Sequence, residues 1–323
     1  MKRIVVAWVL CAVFVLHANG QTPPSAPDIR FEEIHLTDGG PPATLQLLYK
    51  PGAAAKHPVI LTPGAFRPGE VPYWGQGLVD DGFMLCAFGV AHPPDPDPAR
   101  RPVWLFFDQR FAHGYTLGGL RAPDDAKRII DHLSTRPDVH PEKFGWMGSS
   151  SSGIPSLAAA TKEKRLQAIV AFVSTGAYRR WFETWHTNGL WKGTTPELWP
   201  ETDAILKEHD PILHVDRLFP TAILMVSGGA DKVVDPQTTR EFADAARPFY
   251  AKDPARLRFV VYEGFGHNLP RDVVTMYTEA WFRLYLHPVN PPPAPDGGPA
   301  NLDESVKRTQ INAKDHKDLI NGK

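Results

Sequence analysis

Apolar positions along the chain follow two rhythms. Short runs in which nearly every residue is apolar, namely Val59 to Thr62, Met84 to Val90, Phe144 to Met147, Ala168 to Val173, Ala222 to Val226 and Phe259 to Tyr262, read as strands buried on both faces. Phe31 to Leu36 and Ala43 to Tyr49 flank Asp38-Gly39-Gly40 and read as an antiparallel pair at a sheet edge. Helical spacing fills the gaps. Ala126, Ile129, Ile130 and Leu133 follow Pro123, with Asp124 and Asp125 where a helix dipole favours negative charge. Asp235-Pro236 reads as a cap and first-turn proline opening a helix through Phe242, and Val274, Tyr277, Trp281 and Leu284 form the stripe of a last helix. This alternation predicts an α/β fold, a doubly wound, mostly parallel eight-stranded sheet.

Two stretches break the alternation. His92 to Gly119 is rich in proline, arginine and aromatics, including Trp104, Phe106, Phe107 and Tyr115. Ser174 to Leu218 carries Tyr178, Trp181, Phe182, Trp185, Trp191 and Trp199. Both are expected over one end of the sheet, the second as an inserted cap at about 174–218. Its aromatics either wall a pocket or form the cap's own core. Pro288 to Pro299 reads as a linker, and the tail beyond Asn301 has too little apolar content to pack. The expected organisation is a leader at 1–20, one domain at 21–287, and linker and tail at 288–323.

Composition narrows the partners. In a chain of 323 residues, a net charge of -1 gives no field that would attract nucleic acid or an anionic membrane. A small-molecule substrate fits better. Lys2 and Arg3, the apolar stretch Ile4 to Leu16, and then Ala18, Asn19 and Gly20 predict a signal peptide cleaved after Gly20, hence a secreted or periplasmic protein. That stretch falls short of the roughly 20 residues needed to cross a bilayer, so no membrane span is expected after cleavage. Cys86 would then be the one remaining cysteine, and stability must come from packing.

The chemistry centres on Phe144-Gly145-Trp146-Met147-Gly148-Ser149-Ser150-Ser151-Ser152-Gly153, a strand entering small residues and then the helical Ile154, Leu157 and Ala158. A nucleophilic serine on a strained strand-to-helix turn needs this construction, because neighbours without bulk let the backbone pass close by. Gly148 directly after the strand is the natural pivot two residues ahead of the nucleophile, which selects Ser150. Asp231 follows one late strand in Val226-Ser227-Gly228-Gly229-Ala230-Asp231, and His267 follows the next in Glu263-Gly264-Phe265-Gly266-His267. A serine hydroxyl becomes a nucleophile when a neutral imidazole takes its proton, and the imidazole needs an acceptor to fix its tautomer. Oxyanion donors are expected at the Ser151 amide and at Ala65 in Thr62-Pro63-Gly64-Ala65-Phe66, with Phe66 as the alternative to Ala65. Asp235 reads as a helix cap and Asp272 as part of a helix start. His209 and His214 stand five apart with no other metal-ligand cluster beside them and read as surface or cap residues, and neither a metal nor a cofactor is expected.

With these motifs in hand, the chain resembles the α/β-hydrolase superfamily, and particularly its dienelactone-hydrolase-like, prolyl-oligopeptidase-like and acetyl-xylan-esterase-like members. Arg136 to Gly148 is similar to the passage preceding the elbow in those relatives, and the likeness covers about residues 30 to 287. The resemblance implies Ser150, Asp231 and His267 as a catalytic triad and names no substrate; the reading adopted is hydrolysis of a carboxylic ester through an acyl-enzyme. It departs from the usual elbow at Ser152, where glycine is common. Serine at 150 departs from the cysteine of dienelactone hydrolases proper and the aspartate of haloalkane dehalogenases. A peptidase or amidase is the alternative within enzymes, and a non-catalytic binding protein on the same scaffold is the alternative outside them.

Overall fold

In the computed structural model, strands β1 (Arg30–Leu36), β2 (Ala43–Tyr49), β3 (His57–Pro63), β4 (Met84–Val90), β5 (Val139–Ser149), β6 (Leu166–Phe172), β7 (Ala222–Gly228) and β8 (Leu257–Tyr262) form one sheet in the order β1-β2-β4-β3-β5-β6-β7-β8. The structure describes residues 28–37, 39–102, 107–193, 195 and 197–286, so the expected leader, linker and tail, together with Trp104 and Phe106, lie outside the described residues. β2 runs antiparallel to both β1 and β4, and all remaining pairs are parallel. The fold is therefore the predicted α/β sheet, with the antiparallel pair at one edge. Every residue of β7 is buried, as expected of a strand covered on both faces.

Seven helices flank it among the described residues: α1 (Gln76–Asp80), α2 (Gln109–Ser134), α3 (Ile154–Ala160), α4 (Tyr178–Thr187), α5 (Pro200–His209), α6 (Pro236–Ala246) and α7 (Arg271–Leu286). The strand period of two sorts β7 between two cores. Ile223 and Met225 pack with α2, α3 and α6, whereas Ala222, Leu224 and Val226 pack with α1 and α7.

Two helices differ from the sequence reading. α2 begins at Gln109, capped by Asp108 accepting from the Phe111 amide at 3.0 Å, and runs through Pro123 instead of starting there. An interior proline forfeits a backbone hydrogen bond and costs about 3 kcal/mol in an isolated helix. Tertiary burial outweighs it: Phe111 and Tyr115 enter an aromatic cluster while Ala126, Ile129 and Ile130 enter the sheet core. The Gln109 to Gly119 end of the expected His92 to Gly119 insertion is thus regular helix. In α7 the buried side continues from Trp281 through Phe282 and Leu286, and Leu284 is exposed. The expected stripe is right as far as Trp281 and then follows the wrong side of the helix.

The cap consists of α4, α5 and a 3₁₀ segment at Pro211–Arg217. Its aromatic cluster joins Tyr178, Trp181, Phe182 and Trp185 of α4 to Phe111 and Tyr115 of α2. α4 has no cap from its own preceding residue; Asp210, from beyond α5, supplies one by accepting from the Tyr178 amide at 3.0 Å and the Arg179 amide at 2.8 Å. Burial pushes the Asp210 carboxyl up to about 6, while the amides of Arg179, Tyr178 and Ile212 pull it back down. The folded protein thus holds this proton more tightly than the unfolded chain does. Stability contributed by the group is greatest at low pH and falls as pH rises from about 4 to about 6. Relative to Asp210→Asn, the wild type should lose on the order of 3 kcal/mol across that window and stay level above it. Chemical denaturation of both proteins at a series of pH values measures this, and parallel profiles would refute it.

Candidate active site

β5 ends in a forced turn. Ser149 is extended, Ser150 takes φ +53°, and Ser150–Ser152 coils into one 3₁₀ turn before α3 begins. A non-glycine residue in this region is strained by roughly 1–3 kcal/mol and needs surrounding contacts to hold it. Gly148 makes the turn possible, because a Cβ there would stand 2.3 Å from the Ser152 carbonyl oxygen. Ser152, in the place where glycine is common, closes the turn itself. Its hydroxyl accepts from the Ser149 amide at 2.8 Å and donates to the Ser149 carbonyl at 2.9 Å. Below the turn, the Trp146 indole N–H donates to the Ser152 carbonyl at 2.9 Å. From the cap side, the Tyr115 hydroxyl donates to the Ser151 carbonyl at 3.0 Å.

The loops after β7 and β8 are bound to each other. The Gly229 and Ala230 amides donate to the Tyr262 and Phe265 carbonyls, each at 2.8 Å. Gly228 permits this approach, since a Cβ there would lie 2.1 Å from the Gly266 carbonyl oxygen. Asp231 on the first loop and His267 on the second meet as a result. His267 Nδ1 lies 2.8 Å from Asp231 Oδ2, and its Nε2 lies 2.9 Å from Ser150 Oγ. The Asp231 side chain is fully buried and that of His267 is about a quarter exposed. Oδ1 of Asp231 accepts from the Val233 amide at 2.8 Å and the Val234 amide at 3.1 Å, which leaves Oδ2 for the imidazole. A carboxylate can only accept, so Nδ1 carries the hydrogen and Nε2 is left to accept from the serine hydroxyl.

Of the two expected donors after β3, the Phe66 amide is committed to Gln46 Oε1 at 2.6 Å, so Ala65 is the candidate that remains. Gly64 adopts φ +127° and donates to the Phe88 carbonyl at 2.9 Å, turning the exposed Ala65 out of the sheet. Asp235 caps α6 through the Gln237 amide at 2.9 Å and stands apart from the His267 imidazole's partners. Among the described residues no group of three or more His, Cys, Asp or Glu is arranged to hold a metal ion, and His214 instead bonds the Glu208 carbonyl at 2.8 Å. Burial pushes the Cys86 thiol far up, so it is an inert core residue.

Trp181 and Trp185 do not wall an open pocket. They are buried inside the aromatic cluster, and both indole N–H groups turn to the Val233 carbonyl. This is the second of the two readings the sequence left open, the cap's own core; what sequence reasoning missed is the shared Val233 carbonyl, the bridging hydroxyl of Ser152, the Tyr115 contact and the Gln46 side chain. The four-residue spacing of the tryptophans, which puts both on one helical face, was the available signal.

Residues 107–285, more than half of the chain, match the prolyl oligopeptidase family. The Bacillus subtilis (strain 168) protein named "Putative esterase YitV" is 29% identical over 162 residues, a stretch that spans 49% of this chain and 63% of that protein. Among solved structures, a prolyl endopeptidase superposes with a TM-score of 0.59 at 18% identity, covering 79% of this chain and 38% of the other. The Pyrococcus horikoshii acylaminoacyl peptidase does so with 0.59 at 13% identity, covering 87% and 44%. TT1662 from Thermus thermophilus gives 0.55 at 19% identity, covering 77% of this chain and 96% of that one. These structures share the α/β-hydrolase fold, and the chain belongs to the prolyl oligopeptidase family of serine hydrolases.

Proposed function

We propose that this serine hydrolase cleaves carboxylic esters, with Ser150 as nucleophile, His267 as general base and acid, and Asp231 as the carboxylate that orients the imidazole. The observation that carries the reading is the unbroken series Ser150 Oγ to His267 Nε2 at 2.9 Å and His267 Nδ1 to Asp231 Oδ2 at 2.8 Å, with Ser150 alone of the four serines at positive φ. As Ser150 Oγ attacks the ester carbonyl, its proton passes to Nε2 and the carbonyl oxygen takes the negative charge. The amides of Ser151 and Ala65 receive that charge, an arrangement worth about 3–4 kcal/mol per donor where one has been removed in other enzymes. Collapse expels the alcohol, which leaves with the proton from Nε2. Water then gives a proton to Nε2 and attacks the acyl-enzyme, and the carboxylic acid is released as Ser150 regains its hydrogen.

Ester cleavage is supported by the name of the Bacillus subtilis relative, whereas the family's own name favours a second reading, cleavage of an amide. The same residues serve either bond. A panel of p-nitrophenyl esters of rising acyl length, run beside matched aminoacyl and prolyl anilides, decides between them. Esters should give the higher kcat/KM throughout, and an anilide that outpaces its matched ester would establish the peptidase instead. Failure to label with a fluorophosphonate would favour a non-catalytic protein. The leader-like residues 1–20 support export, with cleavage after Gly20; N-terminal sequencing of the periplasmic or secreted protein should begin at Gln21.

Serine substitutions separate the roles. Ser150→Ala should lower kcat by roughly 10⁴-fold or more and abolish labelling, while Ser149→Ala and Ser151→Ala keep most activity because their backbone groups remain. Ser152→Ala should be intermediate, since loss of the bridging hydroxyl costs about 1 kcal/mol at the turn. Activity in Ser150→Ala together with its loss in Ser151→Ala would move the nucleophile by one residue.

A further inference from the structure

One backbone carbonyl ties the cap to the acid loop. Trp181 Nε1 donates to the Val233 carbonyl at 2.6 Å, and Trp185 Nε1 donates to the same oxygen at 3.2 Å. The two residues sit four apart on α4, so one helical face delivers both N–H groups. The other end of that peptide unit is the Val234 amide, which donates to Asp231 Oδ1 at 3.1 Å, beside the Val233 amide at 2.8 Å. A peptide group whose oxygen accepts two hydrogen bonds is polarised and becomes a better donor at its nitrogen, the more so in a dry setting. The setting is dry: Trp181 and Trp185 are 2% and 0% exposed, lie 4.9 Å apart edge to face, and are enclosed by Phe107, Phe111, Tyr115 and Phe182. Just beyond them, Asn188 Nδ2 donates to the Lys232 carbonyl at 3.1 Å.

Filling space would need only rings, and the cluster has phenylalanines for that. Two indole N–H groups aimed at one oxygen fix the plane of the 233–234 peptide, and that plane fixes where Oδ1 of Asp231 sits. With Oδ1 held, Oδ2 is presented to Nδ1 of His267. We infer that Trp181 and Trp185 are positioning residues for Asp231, acting through the Val233 carbonyl, so that the cap takes part in catalysis without touching the substrate. This rests on the reading of Asp231 as the acid of the triad.

The test is a mutant cycle between the indole donors and the carboxylate. Trp181→Phe, Trp185→Phe and the double variant keep rings in the cluster and delete the N–H groups; each is made alone and with Asp231→Asn. Kinetics are read with the best p-nitrophenyl ester, and folding is read by circular dichroism and melting temperature. The double variant should lose roughly 10- to 100-fold in kcat with KM changed less than about twofold, and the same change in the Asp231→Asn background should cost less than about twofold. Equal losses in both backgrounds, or an unchanged kcat in a folded double variant, overturn the inference and leave the tryptophans as packing. Should the double variant not fold, the two single variants are read by the same criteria, and if neither of them folds the role is structural and the inference falls. A full kcat in Asp231→Asn alone would instead overturn the triad reading beneath it.

Discussion

A carboxylate buried to the last atom dictates much of the architecture at this end of the sheet. Removing a carboxylate from water costs several kcal/mol unless its oxygens are fully bonded, and a half-satisfied anion would sooner take up a proton or break the fold. Asp231 is satisfied by two amides on one oxygen and an imidazole on the other. The amides require its loop to curl back on itself within three residues. The imidazole requires the loop after β8 to lie against the loop after β7, and that is the contact Gly228 leaves open. Both loops must also end over β5, where Ser150 stands. The parallel order β5-β6-β7-β8 provides this, because all four strands deliver their following loops to the same edge.

Strain is concentrated beside this site and is held by hydrogen bonds of short reach. Ser150 and Val173 are the described non-glycine residues with positive φ, and they end neighbouring strands. Val173, β-branched at φ +42°, is the more costly conformation for its residue type. Its amide donates to the Val226 carbonyl at 2.7 Å, extending the β6–β7 ladder by one rung past the strand's end. Ser174 follows with its hydroxyl on the Phe172 carbonyl at 2.7 Å, and the Thr239 hydroxyl takes the Ser174 carbonyl at 2.8 Å. Ser174 thereby lies against the serine turn, its Oγ 3.4 Å from the Ser150 carbonyl. Each bond is worth about 1 kcal/mol net, so several together offset a strain of roughly 1–3 kcal/mol at each residue.

The sheet was legible because its strands are buried on both faces, and a short, continuous apolar run in a chain that alternates with helices fits little besides such a strand. Met84–Val90 and the edge strand Ala43–Tyr49 were found to both ends, and the other strands were found at their centres with one or both ends missed. β5 begins at Val139 and β8 at Leu257, and the polar His140, Glu142, Lys143 and Arg258 that precede the apolar runs keep at least part of their surface in solvent. The three polar residues of the site were legible through order and glycine context. What stayed hidden depended on contacts between segments distant in sequence. Pro123 reads locally as a helix start, and only the aromatic partners of Phe111 and Tyr115 account for a helix that runs through it. Trp181 and Trp185 read as cap core or as pocket wall, because sequence shows which helical face they share and not what that face meets. Ser152 read as a departure from glycine, when its hydroxyl replaces by bonding what glycine supplies by absence of bulk.

These contacts also bear on how substrate reaches Ser150. A lid that opens during turnover must part from the body at a cost of a few kcal/mol, or its open state would be too rare to matter. Lifting α4 would expose Trp181, Trp185, Phe182 and Tyr178, each burying about 150–250 Å² and worth about 4–6 kcal/mol at 25 cal/mol per Å². It would also strip the Val233 carbonyl of both donors and the α4 amides of Asp210. The cap is further pinned to the body and within itself by Arg100 on Glu201, Arg179 on Asp203 and Arg100 stacked over Trp199. A helix held this firmly is part of the frame. The loop after β3 keeps Gly64, Ala65, Arg67, Pro68 and Gly69 in solvent, and a substrate route past that loop, which we propose, would leave the buried carboxylate and its tryptophans undisturbed.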